Sequence, residues 1–100
     1  MKLKKLDVDG RIPFDERMES ITDACAKARI ITRINRLQQG NAGDCKSVGD
    51  GVKELRIDVG AGWRVYFTER NNELILLALV GSKKTQNKDI EQVKSWLKLM

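Results

Sequence analysis

The sequence predicts an α+β fold in which a small antiparallel sheet packs against helices. Apolar residues recur at helical spacing in the first third of the chain and again in residues 85–100. Between them, residues 54–59, 63–69 and 74–80 have the composition of strands joined by short turns. We therefore predict one domain spanning residues 1–100, with an N-terminal strand plus a three-strand meander, two N-terminal helices and a C-terminal helix.

The N-terminal third predicts a short strand followed by two helices. Residues 2–8 alternate weakly, and Pro13 stands where helices commonly begin. A helical stripe of core-facing residues follows, formed by Phe14, Met18, Ile21, Cys25 and Ala28. Thr22-Asp23 has the chemistry of an N-cap, which predicts two helices, or one helix with a break, and the second part ends before Gly40. The inward residues of that second helix are predicted to be Ile30, Ile31, Ile34 and Leu37.

The meander predicts a sheet with two different faces. Residues 40–51 contain four glycines and little periodicity, so we expect an irregular connection there. With a loop through residues 60–62, the first face holds alternate apolar residues, namely Leu55, Ile57, Val59, Trp63, Val65 and Phe67. The second face holds two cross-strand pairs, Asp58 with Arg64 and Arg56 with Tyr66. A salt bridge is the structural interpretation of the Asp58–Arg64 pair.

Aliphatic residues stand beside those arginines on the second face. If Asn71-Asn72 is a two-residue turn, the first face gains Leu74, Leu76, Ala78 and Val80, and the second face gains Ile75, Leu77 and Leu79. Either the C-terminal helix or a partner must cover this second aliphatic row. A groove with guanidinium groups, a phenol and aliphatic walls suits a nucleotide, because the guanidinium binds phosphate and the ring lies against a base.

The charge and composition limit the functions that this chain can perform. The net charge is +5 and the sequence pI is about 9.4, which favours a polyanion or an acidic protein as partner over an ordinary basic surface. The absence of histidine excludes histidine acid–base catalysis, and two cysteines cannot fill a structural zinc site. We expect reduced thiols, no membrane span and a cytoplasmic location. One helix face carries Arg29, Arg33 and Arg36, which is either a solvated surface or the contact for a polyanion or an acidic partner.

The run "GNAGDCKSVGDGVKELRIDVGAGWRVYF", followed by "LLALVGSKKTQNKDI", resembles the RelE/ParE superfamily of bacterial toxins. It is most similar to the phage-derived, HigB-like addiction module killer branch. The resemblance implies the toxin of a type II toxin–antitoxin module, neutralised by a cognate antitoxin. RelE and HigB members cleave mRNA on the translating ribosome, whereas ParE members inhibit DNA gyrase. We therefore expect a ribosome-dependent endoribonuclease that needs no metal ion or cofactor. The alternatives are a non-enzymatic gyrase inhibitor and a decayed member that only binds the antitoxin.

The resemblance implies roles for Arg64, Arg56, Lys46 and Lys83, and the charge pattern and side-chain chemistry suggest the others. The expected catalytic residues are Arg64, Lys46, Lys83 and Tyr66, of which Arg64 matches the arginine associated with phosphate stabilisation. The expected RNA-binding residues are Arg56, Lys53 and Lys84, and the expected antitoxin-binding residues are Arg29, Arg33 and Arg36. Several RNA-cleaving relatives carry a histidine or tyrosine near the C-terminus, and this chain has neither after Tyr66. The acid–base group is therefore left open, with Tyr66 as a candidate acid and a lysine as a candidate base.

Overall fold

A computed structural model describes residues 2–60, 62–81 and 86–98, without the side chains of residues 86 and 87. In this part of the chain there are five strands and three helices. The strands are β1 (Lys2–Lys5), β2 (Cys45–Gly49), β3 (Val52–Ile57), β4 (Trp63–Arg70) and β5 (Glu73–Val80). The helices are α1 (Pro13–Ser20), α2 (Ala24–Gln38) and α3 (Gln86–Leu97). The α+β class is confirmed, with one strand more than predicted.

The strands form a mixed sheet in the order β1-β5-β4-β3-β2. β1 pairs with β5 in parallel, which corrects the expectation of a wholly antiparallel sheet. The pairing is possible because the two N-terminal helices and the meander separate the two strands in the chain, as a parallel crossover requires. Just past β1, the Leu6 N–H donates to the carbonyl of Leu76 at 2.9 Å and extends this edge of the sheet.

The two N-terminal helices begin and end at residues with clear local reasons. Pro13 occupies the start of α1, where its missing N–H costs nothing. The Asp23 carboxylate accepts hydrogen bonds from two backbone N–H groups in the first turn of α2, at 2.9 and 3.3 Å. At the other end, the φ of +93° at Gly40 allows the Asn41 N–H to reach the Arg36 carbonyl at 2.8 Å. The predicted break and both ends of α2 are thereby confirmed.

The buried stripe of α2 differs from the predicted one. It consists of Ala26, Ile30, Ile34 and Leu37, all of which join the core under the first face. Cys25 and Ala28 are exposed, so their prediction as core residues is wrong. Ile31 was predicted to point inward and instead remains 49% exposed. The N-cap at Asp23 separates α1 from α2. The helical spacing of the buried residues in α1 therefore does not continue into α2.

The segment predicted as an irregular connection contains β2, which pairs antiparallel with β3. Asp50-Gly51 forms a two-residue turn between these strands, with φ of +56° and +78°. Aspartate followed by glycine is a preferred sequence for such a turn, because both positions need positive φ. A register shift beside Val48 marks a bulge in β2, which is one of the two edge strands of the sheet.

The register between β3 and β4 is shifted by two residues from the predicted one. Leu55 lies opposite Val65, and Arg56 lies opposite Arg64. The connection is longer than the predicted loop, because β3 ends at Ile57 and β4 begins only at Trp63. A shift of two preserves the side of each residue, so the predicted faces of these two strands are confirmed. The predicted Asp58–Arg64 cross-strand pair is wrong, since Asp58 lies beyond the end of β3.

The turn at Asn71-Asn72 is confirmed, and both residues have positive φ, +50° and +61°. Farther along β5 a bulge disturbs the predicted faces. Tyr66 lies opposite Ala78 whereas Phe67 lies opposite Leu76, so Leu77 is the extra residue. Beyond the bulge, each residue of β5 points to the face of the sheet opposite to the predicted one. Leu79 belongs to the first face, and Ala78 and Val80 belong to the second, contrary to the prediction.

The sheet has helices on both faces. α1 and α2 cover the first face, where Phe14 and Ile30 pack with strand residues such as Leu55 and Phe67. α3 covers the second face, where Val93 joins Leu77 in a separate apolar cluster. Ile75 and Leu77 are buried in that cluster, so it is α3 that covers the aliphatic row. Within the ranges described above, no helix is long and apolar enough to cross a membrane.

Candidate nucleic-acid interface

A buried carboxylate organises the polar part of the second face. The side chain of Glu54, in the middle of β3, is 0% exposed. Its Oε1 lies 3.1 Å from Arg56 Nε, 3.7 Å from Arg64 Nε and 4.0 Å from Lys46 Nζ. We refer to Lys46, Arg56 and Arg64 as the cation cluster. A buried carboxylate requires compensating positive charge, so the cluster stabilises Glu54 and Glu54 holds the cations together.

The pairing of the strands explains why these side chains meet. Lys46 lies directly opposite Glu54 across the β2–β3 pair, and Arg56 follows Glu54 on the same side of β3. Arg64 lies opposite Arg56 across the β3–β4 pair. Two like charges at directly opposed positions repel each other. The Glu54 carboxylate offsets that repulsion, which makes it the residue on which the local arrangement depends.

Tyr66 holds the other oxygen of the same carboxylate. It lies opposite Glu54 on β4, is fully buried, and donates its hydroxyl proton to Glu54 Oε2 at 3.0 Å. Burial raises the pKa of Tyr66 well above its ordinary value, and the charge and hydrogen bond of Glu54 raise it further. The phenol therefore stays protonated and oriented. This placement favours a positioning role for Tyr66 over its expected role as a catalytic acid, since it offers no surface to a substrate.

A cleft of about 450 Å³ opens beside the cation cluster. Arg56 and Arg64 form part of its wall, together with Trp63. The Arg64 side chain is only 10% exposed, whereas those of Arg56 and Lys46 are 46% and 47% exposed. The Arg64 side chain is thus held in the wall of the cleft, whereas Arg56 and Lys46 present positive charge to solvent. A cleft with fixed guanidinium groups can bind the phosphate of a nucleotide.

Trp63 is held in position from two sides. The Arg17 guanidinium lies 5.7 Å from the centroid of the indole, within the range of a cation–π contact. On the other side, a Cβ added at Gly81 would stand 2.7 Å from the ring, so the glycine is what allows the end of β5 to come this close. Trp63 remains partly exposed. These contacts hold the indole on the first face of the sheet, opposite to the face that carries Arg56 and Arg64.

Several of the other residues predicted for the site are not part of the cation cluster. Lys53 lies opposite Phe67 on the first face, so the structure separates it from the cation cluster. Arg33 donates to the carbonyl of Arg56 at 2.7 Å and to that of Ala42 at 3.0 Å. It thereby ties the segment before β2 to α2 and β3, rather than standing free beside Arg29 and Arg36, which are exposed. The predicted residues Lys83 and Lys84 lie outside the described residues.

The role of Glu54 and the acidic side of the cleft were not predicted from the sequence. Besides the arginines and Trp63, the cleft is lined by Asp44 and Asp58. Glu54 stands two residues before Arg56 in β3, so the two side chains point to the same face of the sheet. This spacing was the indication in the sequence that an acidic residue lies among the basic residues of the second face. The burial of Glu54 could not be inferred, because it depends on tertiary contacts such as the one with Tyr66.

The fold and the cleft define a small basic α+β protein in which a buried carboxylate holds three cationic side chains together. Residues 18–98 match the family described as "Phage derived protein Gp49-like (DUF891)", and the chain belongs to that family. The family is associated with toxin and addiction modules. The chain is also similar to an uncharacterized protein of Haemophilus influenzae, with 47% identity over 89 residues, which cover 89% of this chain and 90% of the relative.

Proposed function

We propose that this protein is the toxin of a type II toxin–antitoxin module and that it cleaves mRNA on the ribosome without a metal ion. The observation that carries the proposal is the cation cluster held by the buried Glu54, beside a cleft lined by Arg56 and Arg64. The family's association with addiction modules supports it. Two N-terminal helices on one face of the sheet and a third helix on the other support a RelE/ParE-like fold of the HigB-like branch.

The proposed reaction is the attack of an RNA 2′-hydroxyl on the adjacent phosphorus. A bond from the 2′-oxygen to phosphorus forms, the bond to the 5′-oxygen breaks, and the products carry a 2′,3′-cyclic phosphate and a 5′-hydroxyl. Negative charge grows on the non-bridging phosphate oxygens in the transition state. Guanidinium donors fixed in place before the RNA arrives stabilise that charge without reorganisation. Arg64 and Arg56 fill this role, because Glu54 fixes the position of both.

Lys46 extends the positive surface toward solvent at the outer edge of the sheet. Its ammonium is 47% exposed and stands 4.0 Å from the same carboxylate oxygen that holds the arginines. An exposed ammonium at this distance can meet a neighbouring phosphate of the same RNA strand. We therefore assign Lys46 to RNA binding as well as to the electrostatics of the reaction.

The salt dependence of ribosome binding tests this surface with a matched pair of lysines. Lys46 and Lys53 are both exposed and lie on neighbouring strands, but on opposite faces of the sheet. If Lys46 contacts RNA phosphate, replacing it with glutamine removes one contact and changes the log–log slope of affinity against salt by roughly 0.7 to 0.9. We expect Lys53→Gln to leave the slope unchanged. The measurement is cosedimentation with ribosomes across a salt series.

The outcome of that series decides which face meets RNA. Equal changes in slope for the two variants would contradict the assignment of the interface to the cation-cluster face. A wild-type affinity that does not respond to salt would contradict RNA binding altogether, because phosphate contacts release counterions.

We also propose that the antitoxin presents an acidic surface to α2. Arg29 and Arg36 are exposed on one side of this helix, and Ile31 adds a large exposed apolar side chain farther around it. The aliphatic row of the second face takes no part, since α3 already covers it. Arg33 contributes less than its neighbours, because its guanidinium is bound to two backbone carbonyls.

Reversing the two exposed charges of α2 should weaken the complex. We expect Arg29→Glu with Arg36→Glu to lower the affinity for the antitoxin by at least about tenfold, because like charges across an interface repel. The matched control is Arg70→Glu with Lys98→Glu, two exposed cations on other elements. Isothermal titration at low salt measures both. If the control weakens the complex as much as the α2 variant does, general charge and not the α2 surface determines the affinity.

A further inference from the structure

Arg33 reaches from α2 to the backbone of a residue of the cation cluster. Its Nη1 donates to the carbonyl of Arg56 at 2.7 Å, and its Nη2 donates to the carbonyl of Ala42 at 3.0 Å. We refer to these two hydrogen bonds as the Arg33 contact. The N–H of Arg56 donates in turn to the carbonyl of Asp44 at 2.9 Å. Both polar backbone groups of Arg56 are therefore held by residues outside β3 and β4.

The Arg33 contact depends on the shape of a guanidinium and on a glycine beside it. A Cβ added at Gly43 would stand 2.8 Å from Arg33 Nη2, and the φ of this glycine is +65°. The chain can pass this close to the guanidinium because glycine adopts the left-handed conformation without strain. Arginine donates in two directions from one planar group, whereas the ammonium of lysine is a single point of donation. Both acceptors are uncharged carbonyls, so what Arg33 supplies here is geometry.

The helix that carries Arg33 gives this contact a fixed base. Ile30 and Ile34 of α2 are buried in the core under the first face, so the helix cannot shift freely against the sheet. The Arg56 side chain is less constrained, because it is 46% exposed and its Nε is held by Glu54 at 3.1 Å. The direction of its guanidinium therefore depends on the backbone from which the side chain leaves, and Arg33 holds that backbone.

We propose that Arg33 is a positioning residue, which fixes the Arg56 guanidinium for the phosphate of the RNA. The inference rests on the proposed function, because that function gives Arg56 its substrate. Arg33 itself touches neither RNA nor the reacting atoms. A displacement of about 1 Å at a reacting group can lower a rate by about 100-fold, so a contact with the backbone of Arg56 is sufficient to affect the reaction.

Replacing Arg33 with lysine tests this role, because lysine keeps the charge but cannot bind both carbonyls in the same way. We expect Arg33→Lys to lower the rate of transcript cleavage at saturating protein by at least about tenfold, with unchanged affinity for ribosomes. The amide proton of Arg56 should exchange with solvent at least about tenfold faster, as measured by NMR, while the amides of β4 keep their rates. The matched control is Arg70→Lys, an exposed arginine that should change neither measurement.

A second variant disturbs the same contact from its other side. Gly43→Ala changes no charged group and places a methyl group against the Arg33 guanidinium. We expect it to slow cleavage and to speed exchange of the Arg56 amide as Arg33→Lys does. The double variant should cleave no more slowly than the slower single variant, because two changes that break one contact are not additive.

The outcomes separate this inference from the proposed function. Cleavage at the wild-type rate by Arg33→Lys would overturn the positioning role and leave the proposed function standing. Slower cleavage with unchanged exchange of the Arg56 amide would overturn it too. Arg33→Gln should leave the salt dependence of ribosome binding unchanged, and a change of roughly 0.7 to 0.9 in the log–log slope would show instead that Arg33 contacts RNA itself. Intact transcript with the wild-type protein would overturn the proposed function and, with it, the assignment of Arg33 to the reaction.

Discussion

Replacing Arg64 with lysine is expected to abolish growth arrest while the protein stays folded. Lysine retains a positive charge near Glu54 but loses the planar fork of donors that can bind two phosphate oxygens. Removal of one preorganised donor to a transition-state anion lowers the rate by about 100-fold to 1,000-fold in well-studied sites. We therefore expect a loss of at least about 100-fold in the rate of transcript cleavage in a purified translation system.

The control for this variant is Arg70→Lys, which changes an exposed arginine at the far end of the same strand. It should cleave at the wild-type rate. Arg64→Lys should also retain the circular dichroism spectrum and the cooperative unfolding of the wild type. If the folded variant remains fully toxic, Arg64 serves only to neutralise Glu54, and the catalytic assignment is wrong.

Replacing Glu54 with alanine is expected to give the largest loss of stability of any polar substitution on the second face. Glu54 is fully buried, and its removal leaves the cation cluster without its carboxylate and Tyr66 without its acceptor. Breaking a buried ion pair by removing one partner lowers the free energy of unfolding by about 3–5 kcal/mol. Urea denaturation measures the change, and a small domain has only about 5–15 kcal/mol of stability in total.

Two further variants keep this prediction testable if Glu54→Ala does not fold. Glu54→Gln retains an amide oxygen for Tyr66 but removes the charge, so its loss should be smaller than that of alanine and still clear. Glu69→Ala removes an exposed carboxylate from β4 and should change the free energy of unfolding by less than about 0.5 kcal/mol. Equal losses for Glu54→Gln and Glu69→Ala would contradict the organising role of Glu54.

Periodicity in the sequence was sufficient to predict the faces of β3 and β4 but not the register between them. Arg56, Arg64 and Tyr66 were placed together on the second face, and the structure places them there. The register was wrong by two residues, because alternation with period two is unchanged by such a shift. The predicted partner of Arg64 was therefore Asp58, whereas Glu54 is the carboxylate that lies beside it.

Other features depend on contacts that periodicity does not contain. The bulge at Leu77 exchanges the sides of the residues after it, and no local pattern in an apolar strand marks such a position. β2, by contrast, could have been predicted, because the Asp50-Gly51 pair is a preferred hairpin turn within the glycine-rich segment. Glu54 is buried beside Tyr66 of the neighbouring strand, and the sequence of a single strand does not contain such a contact.

The most direct test of the account is the fate of translated mRNA during a short induction of the protein. Primer extension on a reporter transcript detects new 5′ ends, and the supercoiling of a plasmid in the same cells reports inhibition of gyrase. We predict cuts inside the translated region with wild-type protein, no cuts with Arg64→Lys, and unchanged supercoiling in both. Intact transcript together with relaxed plasmid DNA would contradict RNA cleavage and identify gyrase as the target. Intact transcript with unchanged supercoiling, in a chain that still binds its antitoxin, would indicate a member that has lost its toxic activity.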